Sequence, residues 1–357
     1  MYGSALVATA GGLVLVSTRN LGVMFLAIEL IWISHRWFSV GPNGWRSLVT
    51  LPSGMSSLAL ILSLVGFGIY TGHLDVASIE TFLLSTNAHP WIPKIAMWIF
   101  IIGLTLKMVA MYFDGRKARG EALALMATIQ VAVVGAVLRV TSWSLVLEDS
   151  WQFLLGFLAV VSFSVGSFLL VRGHGSWSYA QLGQVGAILT GLTVGGEAGR
   201  SSVLFYLFAF VFMSVGAIGA AVSLGSLAES DFFSNWRAVA WRHPVLAGAT
   251  GVLLFSLAGI PPTIGFWSRF TVYLAAIHDG FYVLLAFALL NMLTGIYYYL
   301  RPLTEIWMGS SSSSPKPHPV AIGVKLYVLV SAGVVFVLGL APEFLLTLSK
   351  RVALELF

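Results

Sequence analysis

The chain has 357 residues, of which 58% are hydrophobic and only 9% charged, and its mean hydropathy is +0.92. Those values exclude a soluble globular domain and describe a polytopic membrane protein. The absence of cysteine excludes disulfides, thiolate-bound iron–sulfur clusters and a cysteine nucleophile, while a net charge of +5 carried by loops reads as a membrane topology signal and not a nucleic-acid footprint.

Hydropathy and breaker residues give about eleven spans, near 2–17, 20–40, 52–72, 91–113, 120–141, 150–172, 176–195, 201–226, 244–270, 278–302 and 320–347. Residues 1–18 have no basic start and no small-residue cleavage site, and read as a retained helix. The longest polar segments are 73–90, 226–244 and 309–319, the last being the low-complexity run GSSSSSPKPHP, a flexible linker by composition.

The expected fold is all-α, a single membrane domain over 1–357 made of two five-helix repeats (1–141 and 150–302), a linker (303–319) and a C-terminal helix (320–357). Five is odd, so the repeats would face opposite ways, as in the inverted repeats of transporters. An odd total also puts the termini on opposite sides. Arg36, Arg46, Arg116, Lys117, Arg119, Arg172, Arg237, Arg242, Arg301 and Lys316 fall on the N-terminal side. Arg19, Lys94, Arg139, Arg200, Lys350 and Arg351 fall opposite, and this asymmetry places the N-terminus in the cytoplasm or matrix. Lys325, near the start of the last helix, is expected to snorkel to the interface.

Within the second span, NLGVMFLAIELIWISHRWFSV, Glu29 is the one carboxylate of a run otherwise apolar enough to cross a bilayer. An ionised acid at that depth costs roughly 2.5–3.5 kcal/mol on insertion scales, so it marks a site unless it is simply protonated and hydrogen-bonded inside the bundle. Lys107, in IIGLTLKMVAMYF, is its candidate partner. A lysine alone there would shed its proton, whereas a neighbouring carboxylate favours the charged form, so the two titrate together. Either the pair opens and closes, changing the proton affinity of its surroundings, or it is a static ion pair that only orients helices.

Arg269 follows a break made by Gly259, Pro261, Pro262 and Gly265. Two prolines remove backbone donors, and interrupted backbone at membrane depth is tolerated only around a polar or hydrated cavity. The arginine therefore either stands beside an ion path or snorkels to the surface from a simple kink; always protonated, it sets a potential but passes no proton. Gln130, Tyr179, Gln181, Gln184, Tyr206, Ser214 and Asn291 could line a water path or serve only as helix–helix hydrogen bonds. The histidines fall near predicted helix ends with no two at a four-residue helical spacing, giving a haem or metal site no support. No Walker, dinucleotide-binding or triad pattern is present, so soluble-type catalysis, cofactor binding and nucleic-acid binding are not expected of this chain.

The stretches STRNLGVMFLAIELIWIS (17–34), IGLTLKMVAMYF (102–113), SYAQLGQVG (178–186), NMLTGIYYYLRPL (291–303) and above all LLFSLAGIPPTIGFWSRF (253–270) resemble the antiporter-like membrane subunits of complex I-type NADH:quinone oxidoreductases. The similarity is to subunit 2 of the mitochondrial enzyme and the N subunit of the bacterial one. It implies a discontinuous helix in each repeat, other membrane-arm subunits and lipids as partners in place of a standalone monomer, proton translocation coupled to quinone reduction elsewhere, and no cofactor in this chain. The bacterial form has fourteen helices, so about three are missing from the N-terminus here, as in animal subunit 2; this implies a mitochondrial inner membrane with the N-terminus in the matrix, or else a bacterial cytoplasmic membrane. The family's glutamate falls on Glu29, its paired lysine on Lys107 and the basic residue of the second broken helix on Arg269, where lysine is more usual.

The chain departs from the family pattern in three places. The central lysine would fall near Val131, beside Gln130, where no cation stands. The proline–phenylalanine–histidine of the first broken helix reads Tyr112, Phe113, Asp114, and the basic residue before the alanine–tyrosine–serine segment is lost around Gly175 and Ser176. These losses leave a second reading open, a structural spacer that keeps the fold without conducting; a third is an Mrp-type cation/proton antiporter subunit.

Overall fold

The computed structural model describes residues 2–40, 51–85, 91–114, 132–138, 140, 148–172, 177–223, 239–308 and 322–356. The fold is all-α. Its helices are α1 (Tyr2–Ser17), α2 (Leu21–Val40), α3 (Leu51–Thr71), α4 (Val76–Ser85), α5 (Trp91–Asp114), α6 (Glu148–Val171), α7 (Trp177–Val194), α8 (Gly196–Ser223), α9 (Val239–Arg242), α10 (Pro244–Ala258), α11 (Ile264–His278), α12 (Tyr282–Met308), α13 (Ile322–Leu340) and α14 (Glu343–Leu356). The expected span 120–141 lies outside the described residues except for a helical piece over 132–138 and residue 140. Gln130 and Val131 lie outside them too, as does the segment after Asp114 where a first helix break is implied.

Among the described residues, six helices are long and apolar enough to cross a membrane by themselves. Their surfaces invert the soluble pattern. On α3 Leu58, Leu62 and Ile69 point outward, while Ser53, Ser56 and Ser63 are buried. Polar side chains in lipid must find partners inside the bundle, and small ones let helices approach.

Three expected boundaries are corrected. The segment 73–90, read as a polar loop, contains α4, because Val76 and Ile79 recur at helical spacing and are buried. The span 244–270 breaks where the prolines lead one to expect, into α10 and α11, but its second half runs on past 270 to His278. The C-terminal helix of 320–347 ends at Leu340 and restarts at Glu343, since Pro342 has no N–H for the ladder.

The chain divides into two compact units, one built from α1–α5 and the first part of α6 to Leu158, the other from Ala159 onward. In the first, Asn20 caps α2 by accepting from the N–H of Gly22 (2.9 Å) and Val23 (3.2 Å). An antiparallel bridge between Asn20 and Asp75 ties the α1–α2 turn to the α3–α4 turn. Gly11 admits Ile31 of α2 so closely that a Cβ there would lie 2.7 Å from it. Gly103 does the same for Leu60, bringing α5 onto α3.

In the second unit the α10–α11 break is built from backbone chemistry. Gly259 ends α10 at φ +79°, and the N–H groups of Gly259 and Ile260 donate back to Ser256 and Phe255 carbonyls at 3.0 Å. Across the break the Gly265 N–H donates to Ser256 Oγ at 3.0 Å, and Trp267 Nε1 donates to the Gly339 carbonyl of α13 at 2.8 Å.

Candidate functional site

Glu29 lies midway along α2 and Lys107 in the second half of α5, and the structure brings them together: Lys107 Nζ donates to Glu29 Oε1 at 2.7 Å. The lysine side chain is fully buried and the carboxylate's is 20% exposed. A third residue, from α3, completes the contact. Ser57 Oγ accepts from Lys107 Nζ at 2.8 Å and stands 2.8 Å from Glu29 Oε1, to which it can donate. The Ser53 carbonyl, 3.0 Å away, is the alternative acceptor for the same hydroxyl hydrogen. The Trp32 ring, one turn beyond Glu29 on α2, presents its face to Nζ with its centroid 4.7 Å away, well inside the range of a cation–π contact worth about 0.5–2 kcal/mol.

Local sequence explains the assembly. Glu29 and Trp32 share a face of α2 because they are three residues apart. Lys107 lies one turn past Gly103 and Ser57 three residues before Leu60, so the close Gly103–Leu60 approach sets ammonium against hydroxyl. Removing one member of such a pair leaves a charge without its partner in a low-dielectric interior, at roughly 3–5 kcal/mol for a buried pair. Sequence reasoning found the two charges and missed Ser57 and Trp32. The signal for Trp32 was its i+3 spacing from Glu29; for Ser57 it was the hydroxyl pair Ser56–Ser57 within an apolar run.

The second unit holds Arg269, 9% exposed, on α11. Its Nη2 donates to Gln184 Oε1 at 3.2 Å and to the Leu257 carbonyl. Leu257 O is among the last carbonyls of α10, so the negative end of that half-helix faces the guanidinium. Among the described residues no carboxylate forms an ion pair with it; the helix terminus and an amide supply the compensation. A surface-snorkelling arginine is thereby excluded. Gly259 serves twice, since a Cβ there would strike Arg269 Nη1.

Gln184 also accepts from Tyr206 Oη, making one amide oxygen the meeting point of α7, α8 and α11. A small cavity beside it is lined by Arg269, Gln184, Asn291 and Tyr299. Asn291 Nδ2 donates to the Phe163 carbonyl (3.2 Å) and Ser167 Oγ (3.0 Å), a clamp between α12 and α6. Gln181 and Ser214 are buried with side-chain polar atoms that have no partner among the described residues, as has Arg269 Nη1, an interior suited to water. Tyr179 lies on α7, with its side chain outside the described residues.

A family model described as NADH:quinone oxidoreductase/Mrp antiporter, TM, matches residues 18–294. The NADH-quinone oxidoreductase subunit N of Paramagnetospirillum magneticum is 28% identical over 379 aligned positions, covering 99% of this chain and 77% of the relative. The NAD(P)H-quinone oxidoreductase subunit 2 of Microcystis aeruginosa is also 28% identical, over 83% of this chain and 61% of its own length. Among solved structures, a chain of respiratory complex I from Thermus thermophilus superposes with a TM-score of 0.77 at 20% identity, covering 96% of this chain and 78% of that one. A chain of the Mrp complex from Dietzia gives 0.81 at 18% identity, covering 98% and 77%.

Proposed function

Since this chain belongs to the NADH:quinone oxidoreductase/Mrp antiporter transmembrane family, we propose that it is a membrane-arm subunit of a complex I-type NADH:quinone oxidoreductase and contributes to proton translocation driven by quinone reduction in other subunits. The observation that carries this is the Glu29–Lys107 contact of 2.7 Å, with the lysine side chain fully buried. The contact between ammonium and carboxylate can be made and unmade, and its switching changes the potential felt by the groups next along the membrane, so that a proton can be passed onward there. Arg269 supplies a fixed positive potential in the second unit, and the polar interior around Gln184 and Tyr299 suits a water-borne proton.

The subunit works among other membrane-arm subunits and lipids. The bacterial relatives favour a cytoplasmic membrane as its setting, the mitochondrial inner membrane being the counterpart implied by subunit 2, and the asymmetry of the loop cations favours an N-terminus on the cytoplasmic or matrix side. A spacer role is the competing reading. It is favoured by the sequence between Arg119 and Arg139, which holds no cation where the family has its central lysine.

Reconstituting the whole complex in proteoliposomes with Glu29→Gln decides between them. Translocation predicts fewer protons pumped per NADH at unchanged complex content; unchanged pumping favours the spacer. Co-purification with quinone-oxidoreductase subunits separates both from an antiporter of the Mrp kind.

A further inference from the structure

A switch that works by parting Glu29 from Lys107 has a difficulty: a fully buried ammonium left by its carboxylate is an uncompensated charge in a low-dielectric interior. The surroundings of Nζ answer it. Ser57 Oγ accepts from it at 2.8 Å, and the Trp32 indole lies under it at 4.7 Å, neither of which carries a charge that must move with the switch. Gly103 fixes the approach of α3 to α5, so the hydroxyl stays beside the ammonium whatever Glu29 does. Ser57 can also turn its own hydrogen from Glu29 to the Ser53 carbonyl, and so release the carboxylate without ceasing to accept from Lys107. Trp32 is 6% exposed, its Nε1 has no hydrogen-bond partner among the described residues, and its face meets the ammonium.

We propose that the Trp32 ring and the Ser57 hydroxyl form a standing berth for the Lys107 ammonium, which keeps it charged and in place while Glu29 is released. Both are positioning residues: they hold the group that exchanges with Glu29 and do not themselves carry a net proton. The inference rests on the translocation reading. It goes beyond that reading by assigning the open state of the pair to two side chains that the charge pattern does not reveal.

The test replaces Trp32 in the assembled complex with mono-, di- and trifluorinated tryptophan, which nearly keep the ring's shape while draining the negative charge from its face, and adds Ser57→Ala and Ser57→Thr. Protons pumped per NADH are read in proteoliposomes beside complex content and NADH oxidation. The expected result is a graded loss with fluorination, reaching roughly threefold at the trifluoro ring, and a loss in Ser57→Ala that Ser57→Thr restores. Pumping that is flat across the fluorinated series, with Glu29→Gln impaired, overturns the berth and leaves the switch standing. Pumping unchanged in Glu29→Gln overturns the translocation reading and the berth with it.

Discussion

Gly103 of α5 and Leu60 of α3 approach so closely that a Cβ on the glycine would lie 2.9 Å from Leu60 Cγ and 3.2 Å from the Leu60 backbone nitrogen. The crossing point lies one turn from both Ser57 and Lys107, and it sets the 2.8 Å bond between them. Gly103→Ala therefore forces the two helices apart or Leu60 out of its rotamer, at about 1–3 kcal/mol for an overpacked interior. The expected outcome is a lower melting temperature of the purified complex together with fewer protons per NADH. Gly333→Ala on α13, with nothing within 4 Å of the added Cβ, is the comparison; it should be neutral or stabilising by up to about 1 kcal/mol.

How far the chain was legible follows from what each residue costs in lipid. Glu29 and Lys107 are conspicuous because a charge in an apolar run demands an explanation, and the α10–α11 break is conspicuous because Pro261 and Pro262 cannot both continue a helix. Ser57 and Trp32 are not, since serine and tryptophan are ordinary in membrane helices and only the three-dimensional crossing shows what they touch. The compensation of Arg269 by the Leu257 carbonyl is a backbone effect with no side-chain signature. Helix α4 escaped because the His73–Pro90 segment, taken whole, is too polar and its apolar repeat too short for a spanning pattern.

Arg269 spans two partners from different elements, an amide on α7 and a carbonyl on α10, with one guanidinium nitrogen. Lysine keeps the charge but is shorter and lacks the rigid planar guanidinium that aims the N–H groups of this nitrogen at both. Arg269→Lys is thus expected to assemble at near-normal content and to melt lower, by the loss of one charge-assisted hydrogen bond at about 1.5–3 kcal/mol. Arg269→Met, which takes the charged donor from Gln184 and removes the fixed potential, should additionally depress pumping per NADH. The split is read by thermal shift of the complex against proteoliposome pumping; equal pumping in both variants would show that the cation has only a packing role.

Gly259 and Gly280 adopt almost the same left-handed backbone, φ +79° and +80°, in different company: a Cβ on the first strikes Arg269 Nη1, and on the second meets nothing within 4 Å. An alanine at either site costs about 1–2 kcal/mol for the conformation alone. Only at Gly259 must the guanidinium also move, and with it the contact to Gln184 and so to Tyr206. Gly259→Ala should therefore lose both stability and pumping, whereas Gly280→Ala should lose stability by a similar backbone increment and pump normally once assembled. The comparison isolates the guanidinium's placement from helix termination, because both glycines follow helix ends and only one lies against a buried cation. If the two variants pump alike, the position of Arg269 within the broken helix does not matter to translocation, and its role reduces to holding α7, α10 and α11 together.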